Sequence, residues 1–355
     1  MAITEQLKRW QFWVGVLISA VLLWWAVGKL KLDEVWTALQ TANYGWLIPG
    51  VAIYFVAVWA RTWRWHYLLK PLKAIPTRKM FPIVAIAYMG NNIYPARAGE
   101  VLRAYVLRRK EGVPVSASLA TIVIERIFDG IVMLAFVFVN LAELSKLSGV
   151  TLTVGAWQVG IQDVALWGSV GFFGGLAAFL LAAMFPHQSL GLYHRLVEPR
   201  LPARFRDKVT GIIVSFWTGL ESLRSPVNIL MVFVTSVVIW LLETGKYWFV
   251  MHGFNFQISF FALMLMNGIV VLATTIPAAP GYVGTFDAPG IAVLQAYSVP
   301  PAIAAGYTFT LHAALWLPIT LLGVFYMARQ SIGWRDFGKA LETGSRERVA
   351  GSGEL

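Results

Sequence analysis

The stretch YMGNNIYPARAGEVLRAYVLRRKEGVPVSASLATIVIERIFD, residues 88–129, decides how the rest of the chain is read. A short apolar segment ends at Asn91-Asn92, and Pro95-Ala96-Arg97-Ala98-Gly99-Glu100 then turns the chain. A basic helix follows with Arg103, Arg108, Arg109 and Lys110, and the next hydrophobic span carries Glu125, Arg126 and Asp129. Backbone breaks and charges are costly in so apolar a sequence, because they lose water there. Where they persist they normally serve a site.

The surrounding composition sets the class. Of 355 residues 58% are hydrophobic and 13% charged, and the mean hydropathy is +0.65. That describes a polytopic membrane protein. The absence of cysteine excludes disulfides, thiolate catalysis and Cys-ligated metals. A net charge of +11 fits loop bias and anionic headgroups, and no soluble basic module exists to bind nucleic acid. No Walker A motif or G-x-S-x-G elbow occurs, and the five histidines (66, 187, 194, 252 and 312) are scattered. No cofactor and no metal are expected.

Residues 10–28 read as a first span; no A-x-A-like site follows to mark a cleaved signal. Residues 29–45 read as a connection with a short amphipathic helix through Leu32, Val35, Trp36 and Leu39. Further spans are expected at 46–69, 116–140, 163–185, 227–250 and 301–327, with a weakly charged loop at 141–160. Two apolar segments, 80–94 and 259–276, are too short to cross and run into breaks. Phe205, Val209, Ile212, Phe216, Leu220 and Leu223 recur at helical spacing within the basic stretch 187–224. They suit a helix in the membrane interface or one packed on the protein's own core. The tail 331–355 is expected to be cytoplasmic and disordered.

Charge sets the topology. With both broken segments re-entrant and the N-terminus inside, 24 of the 29 Lys and Arg lie in cytoplasmic segments or at their helix ends. The expected fold is an all-α polytopic membrane protein in one domain over 1–330. It has about six full spans and two oppositely oriented re-entrant helical hairpins. Both termini lie on the cytoplasmic side of a bacterial or archaeal cytoplasmic membrane. An inverted repeat follows, relating about 46–140 to about 227–327. A shift of 182 residues places Arg61 on Glu243, Arg64 on Lys246, Pro95 on Pro277 and Gly99 on Gly281; a shift of 186 places Val113-Pro114 on Val299-Pro300. Paired interrupted helices in such a repeat mark transporters whose site lies near the midplane.

Several residues are candidates for binding substrate. Arg97, Glu100 and Arg103 share one side of a helix start beside Gly99, where arginine forks and free backbone N–H groups suit a phosphate. Two readings stand: Glu100 locks the hairpin by pairing with an arginine, or it orients that arginine for the phosphate. Glu125, Arg126 and Asp129 form either an ion-pair network, with Arg126 reaching Asp129 at i, i+3, or a headgroup or proton site. Arg61 and Arg64 read as snorkelling anchors or site residues, whereas Glu243 and Lys246 lie deeper in their span. Asn91 and Asn92 either cap the hairpin or bind ligand. Pro280, Gly281 and Asp287 belong to the second break and the half-helix after it.

At N-N-I-Y-P-A-R-A-G-E-V-L-R, then E-R-I-F-D, and later P-A-A-P-G-Y-V-G-T-F-D, the chain resembles the lysylphosphatidylglycerol synthase transmembrane family. This flippase-like UPF0104 group includes the membrane half of the bacterial multiple peptide resistance factor. The resemblance covers about 10–330. It implies translocation of an anionic or aminoacylated phospholipid, or a polyprenyl-phosphate role beside a glycosyltransferase or lipid-synthase partner. Arg97, Gly99, Glu100, Arg103, Glu125, Arg126, Asp129, Pro280 and Gly281 stand at the family's motif positions. The resistance factor's soluble aminoacyl-transferase domain has no counterpart in this sequence, so lipid synthesis is not expected. An integral-membrane enzyme acting on a lipid phosphate is the remaining alternative.

Overall fold

The computed structural model describes residues 10–28, 30–94, 98–144, 151–154, 157–160, 170–171, 173–175, 177, 185–196, 198–200, 210, 226–274, 279–330 and 332–333. Eleven α-helices are defined among them: α1 (Trp10–Val27), α2 (Leu32–Thr41), α3 (Leu47–Leu69), α4 (Thr77–Ile93), α5 (Ala98–Glu111), α6 (Val115–Leu144), α7 (Pro186–Leu196), α8 (Pro226–Met251), α9 (Phe260–Ala273), α10 (Asp287–Ala296) and α11 (Pro301–Arg329). Among the described residues the expected all-helical fold holds, with one small addition. Thr151–Val154 and Trp157–Gly160 form a small antiparallel pair, β1 and β2, with Thr151 opposite Gly160. Thr151, Thr153 and Val154 are β-branched and suit an extended backbone, so the segment read as a loop contains a hairpin.

Among the described residues, three helical stretches are long and apolar enough to cross a membrane: 44–69, 227–251 and 301–329. A fourth is reached if 13–27 and 32–41 form one broken span. The expected span at 163–185 and the interfacial stretch 204–224 lie almost wholly outside the described residues. Helix α6 is 30 residues long, and it carries four charged residues, Glu125, Arg126, Asp129 and Glu143. By contrast α9 has 14 residues, a rise of about 21 Å against about 30 Å of hydrocarbon. Helix α2 forms within the connection, where the spacing of Leu32, Val35, Trp36 and Leu39 predicts an amphipathic helix. Val35 is buried, while Leu32 and Trp36 are 66% and 62% exposed.

The chain divides into two compact units. The first comprises residues 1–62, 76–119 and 239–355. Its core joins Tyr247, Leu263, Met266, Val270, Ile291, Leu294, Tyr307 and Leu311. Here α4 packs on α5 and α11, α10 packs on α1, α9 and α11, and α2 lies on α11. Helices α3 and α8 run antiparallel: Gly50 approaches Val250, Ile53 approaches Gly245, and Arg61 meets Trp240 and Glu243. The second unit comprises 63–75 and 120–238. It buries Trp65, Leu68, Leu69, Phe128, Val132 and Met133.

Local sequence explains where the helices stop. The Ser259 hydroxyl accepts from the Ala262 N–H at 3.1 Å and caps α9. Pro301 opens α11 at a position where no intrahelical N–H is required. Between α9 and α10 a short 3-10 turn, Pro280–Tyr282, holds Gly281 at φ 76° and is followed by Gly284 at φ 82°. Those values favour glycine, so the break is written into the sequence.

Candidate functional site

The two interrupted segments of the first unit meet on one face of α11. At the end of α4 the Asn92 amide donates to the Thr320 hydroxyl at 2.8 Å and to the Trp316 carbonyl at 3.3 Å. The Trp316 indole N–H in turn donates to the Asn92 carbonyl at 3.4 Å. The Pro280–Tyr282 turn packs on α4, and a Cβ at Gly281 would stand 2.9 Å from the Trp316 indole nitrogen and 3.5 Å from the Asn92 carbonyl. Asn92 therefore fastens the first segment to α11, and Gly281 lets the second come close to the same tryptophan.

One turn earlier on α11, His312 holds the second break. Its Nδ1 lies 2.8 Å from Asp287 Oδ1, and its Nε2 lies 2.7 Å from the Gly281 carbonyl. The other Asp287 oxygen accepts from the Gly284 N–H at 2.9 Å. Phe286 stacks on the His312 ring, with centroids 4.4 Å apart. Asp287 is thus fully committed at the N-terminus of α10, where a carboxylate also meets the positive end of the helix dipole.

Helices α3 and α8 bury a set of charges. Arg61 Nε and Nη2 both donate to Glu243 Oε1, at 3.4 and 3.3 Å, and the guanidinium lies 4.7 Å from the Trp240 ring centroid. Lys246 pairs with Glu243 Oε2 and stands 4.6 Å from the Tyr54 ring centroid. Nearby, the Asn267 amide donates to the Thr244 hydroxyl at 3.2 Å. Two cations thus share one carboxylate, and the aromatic faces stabilise both. Arg61 is 8% exposed, so it is a buried partner and not a snorkelling anchor.

The second unit has its own ion set. Arg64 is 1% exposed and grips Asp129 with both fork nitrogens, Nη1 to Oδ1 at 2.7 Å and Nη2 to Oδ2 at 3.3 Å. Its Nη1 also donates to the Ser236 hydroxyl at 2.6 Å. Arg126 reaches Asp129 Oδ2 at 3.1 Å from one turn away, as its spacing requires. Glu125 is buried in the same unit. A bidentate, buried arginine pair of this kind ties α3 to α6 and gives Asp129 a structural task.

The first hairpin closes through glycines. Gly90 on α4 faces Gly99 on α5, where a Cβ at Gly90 would stand 2.9 Å from the Gly99 Cα. A Cβ on Gly99 would drive into the Ala87 carbonyl. Beside it the Asn91 side-chain oxygen is buried with no hydrogen-bond partner among the described residues. Arg103 is buried on α5 and Glu100 is half-buried. Arg97 and Pro95 lie outside the described residues. Arg108, Arg109 and Lys110 are exposed, and Lys110 donates to the Gln330 carbonyl at 3.3 Å.

Sequence reasoning missed His312, Trp316 and Thr320. Their spacing of four residues along α11 was a usable signal, because i, i+4 and i+8 share one helix face. Among the described residues no group of three or more His, Asp or Glu is arranged to hold a metal.

The sequence model described as "Lysylphosphatidylglycerol synthase TM region" matches residues 12–323. The chain is similar to a UPF0104 membrane protein of Methanothermobacter thermautotrophicus, 22% identical over 91% of this chain and 93% of that one. A UPF0104 membrane protein of Methanocaldococcus jannaschii is 20% identical over 88% of this chain and 93% of its own. "Glycosyltransferase AglD" of Haloferax volcanii is 25% identical over 87% of this chain, which covers 52% of that protein and so spans about half its length. With a match extending over most of its length, the chain belongs to the lysylphosphatidylglycerol synthase transmembrane-region family.

Proposed function

We propose that this membrane protein is a lipid translocase, a flippase or scramblase. Its cargo would be an anionic or aminoacylated phospholipid or a polyprenyl-phosphate-linked lipid. The observation that carries the reading is the meeting of two interrupted segments, through Asn92 and Gly281, on one face of α11. In inverted-repeat transporters the substrate site forms where two broken helices converge. The element bounds support the repeat. Val115 and Pro301, which open α6 and α11, stand 186 residues apart. Arg61 and Glu243 stand 182 apart and pair.

On this reading α4–α5 is a hairpin re-entering from the cytoplasm, and α9–α10 is its counterpart from outside. The buried Asn91 oxygen, Arg103 and the start of α5 offer polar groups to a headgroup while the acyl chains remain in lipid. Arg61 and Lys246 add positive charge deeper in the same unit.

A second reading rests on the resemblance to a glycosyltransferase that is about twice as long. There the chain would be a lipid-binding accessory to a membrane glycosyltransferase or lipid synthase. Reconstitution separates the two. Purified protein in liposomes with labelled anionic lipids is expected to accelerate transbilayer movement. Binding of the lipid without movement, beside a working positive control, would favour the accessory role.

Topology is tested in a chain that has no cysteine of its own. Arg108→Cys on the exposed end of α5 is expected to react with an impermeant thiol reagent only from the cytoplasm. Ala296→Cys on the exposed end of α10 is expected to react only from outside. Labelling of both from one side would end the inverted-repeat reading.

A further inference from the structure

We propose that His312 and Asp287 form a proton-binding site that latches the second break to α11. The Gly281 carbonyl can only accept, so His312 Nε2, 2.7 Å away, carries hydrogen. Nδ1 then faces a carboxylate oxygen at 2.8 Å, and that contact needs one proton, on the ring or on the carboxyl. Without it, two lone pairs oppose each other in a site where the carboxylate side chain is 3% exposed and the ring 15%.

The proton holds three things at once. It joins α11 to the first residue of α10, it keeps the ring placed to donate to Gly281, and it leaves Asp287 free to accept from Gly284. Gly281 and Gly284 are the two positive-φ glycines of the break, so the latch acts where the backbone can swing. Phe286 stacked on the ring stabilises positive charge there.

The charged and titratable groups on the surrounding elements leave Asp287 as the partner. Tyr282 lies in the break, Arg78, Lys79 and Tyr88 on α4 with Tyr94 just past its end, and Asp33 and Glu34 on α2. On α8, Glu243 and Lys246 pair with each other, and the Tyr247 carbonyl accepts from Tyr307 of α11. Helices α1 and α9 contain no titratable residue.

After proton loss the neutral ring has one N–H for two acceptors, Asp287 and the Gly281 carbonyl, so one of the two contacts is lost and the latch weakens as pH rises. If the chain moves lipid as proposed above, this proton is the group that links its outer gate to pH, and that link rests on the translocase reading. The latch itself does not.

The test needs no lipid. Val283→Cys places a single thiol in the break, at a residue 39% exposed; Ala296→Cys serves as the reference, removing the pH dependence of the labelling chemistry itself. From about pH 5 to about pH 9 the Val283/Ala296 labelling ratio is expected to rise, with a limiting slope of about tenfold per pH unit for one proton. In His312→Gln and in Asp287→Asn the ratio is expected to be flat, and histidine NMR is expected to lose the shared-proton signal of His312 in Asp287→Asn. If one variant misfolds, the other decides. A flat ratio in the parent, or a slope that survives in a folded variant, overturns the latch. A sloping ratio in protein that moves no lipid keeps the latch and counts against translocation instead.

Discussion

Arg61 and Glu243 stand 182 residues apart in the chain and meet in the core, two guanidinium nitrogens on one carboxylate oxygen. The pair lies on helices α3 and α8, which run antiparallel.

That pair is expected to matter for stability. Glu243→Gln leaves Arg61 and Lys246 buried without their carboxylate, a loss of about 3–5 kcal/mol for a buried pair. The reversed double variant Arg61→Glu/Glu243→Arg is expected to recover part of the melting temperature lost in either single change. Singles that melt like the parent would show that the pair contributes nothing.

In the second unit the two arginines on Asp129 are expected to differ sharply. Arg64 is buried and doubly bonded, so Arg64→Ala is expected to cost about 3–5 kcal/mol. The Arg126 side chain is 36% exposed, and Arg126→Ala is expected to cost about 0–1 kcal/mol because water screens it. Thermal melts of the purified variants check the order, and equal costs would contradict it.

The glycines divide in the same way. Gly99→Ala puts a methyl into the Ala87 carbonyl and is expected to prevent α4 and α5 from closing. Gly130→Ala on α6 meets nothing within 4 Å. It is expected to stabilise by about 0.5–1 kcal/mol, because alanine loses less backbone freedom in a helix. Yield of monodisperse protein and melting temperature report both outcomes, and a folded Gly99→Ala at full yield would contradict the first.

Much of this was legible in the sequence because it depends on local chemistry. Pro280, Gly281 and Gly284 announced the second break, and helix spacing placed Arg126 on Asp129. What stayed hidden depends on distant contacts. Arg64 showed no sign that its partners were Asp129 and Ser236, 65 and 172 residues away. His312, Trp316 and Thr320 sit in a helix that reads as an ordinary apolar span, and only the fold brings Asp287, Gly281 and Asn92 to their face. The hairpin at 151–160 was missed because two four-residue strands carry too little pattern to separate from a loop.

On the translocase reading, lipid movement requires the two broken segments to part along α11. Cysteines at Asn92 and Thr320, whose side chains touch at 2.8 Å, can be joined by a short reducible bis-thiol cross-linker in a chain that has no other thiol. Transbilayer movement of labelled anionic lipid is then measured in liposomes before and after reduction, with the cross-link verified by mass. The account predicts that the cross-linked protein moves no lipid and that reduction restores movement. Movement at the same rate in the cross-linked and reduced protein would contradict it.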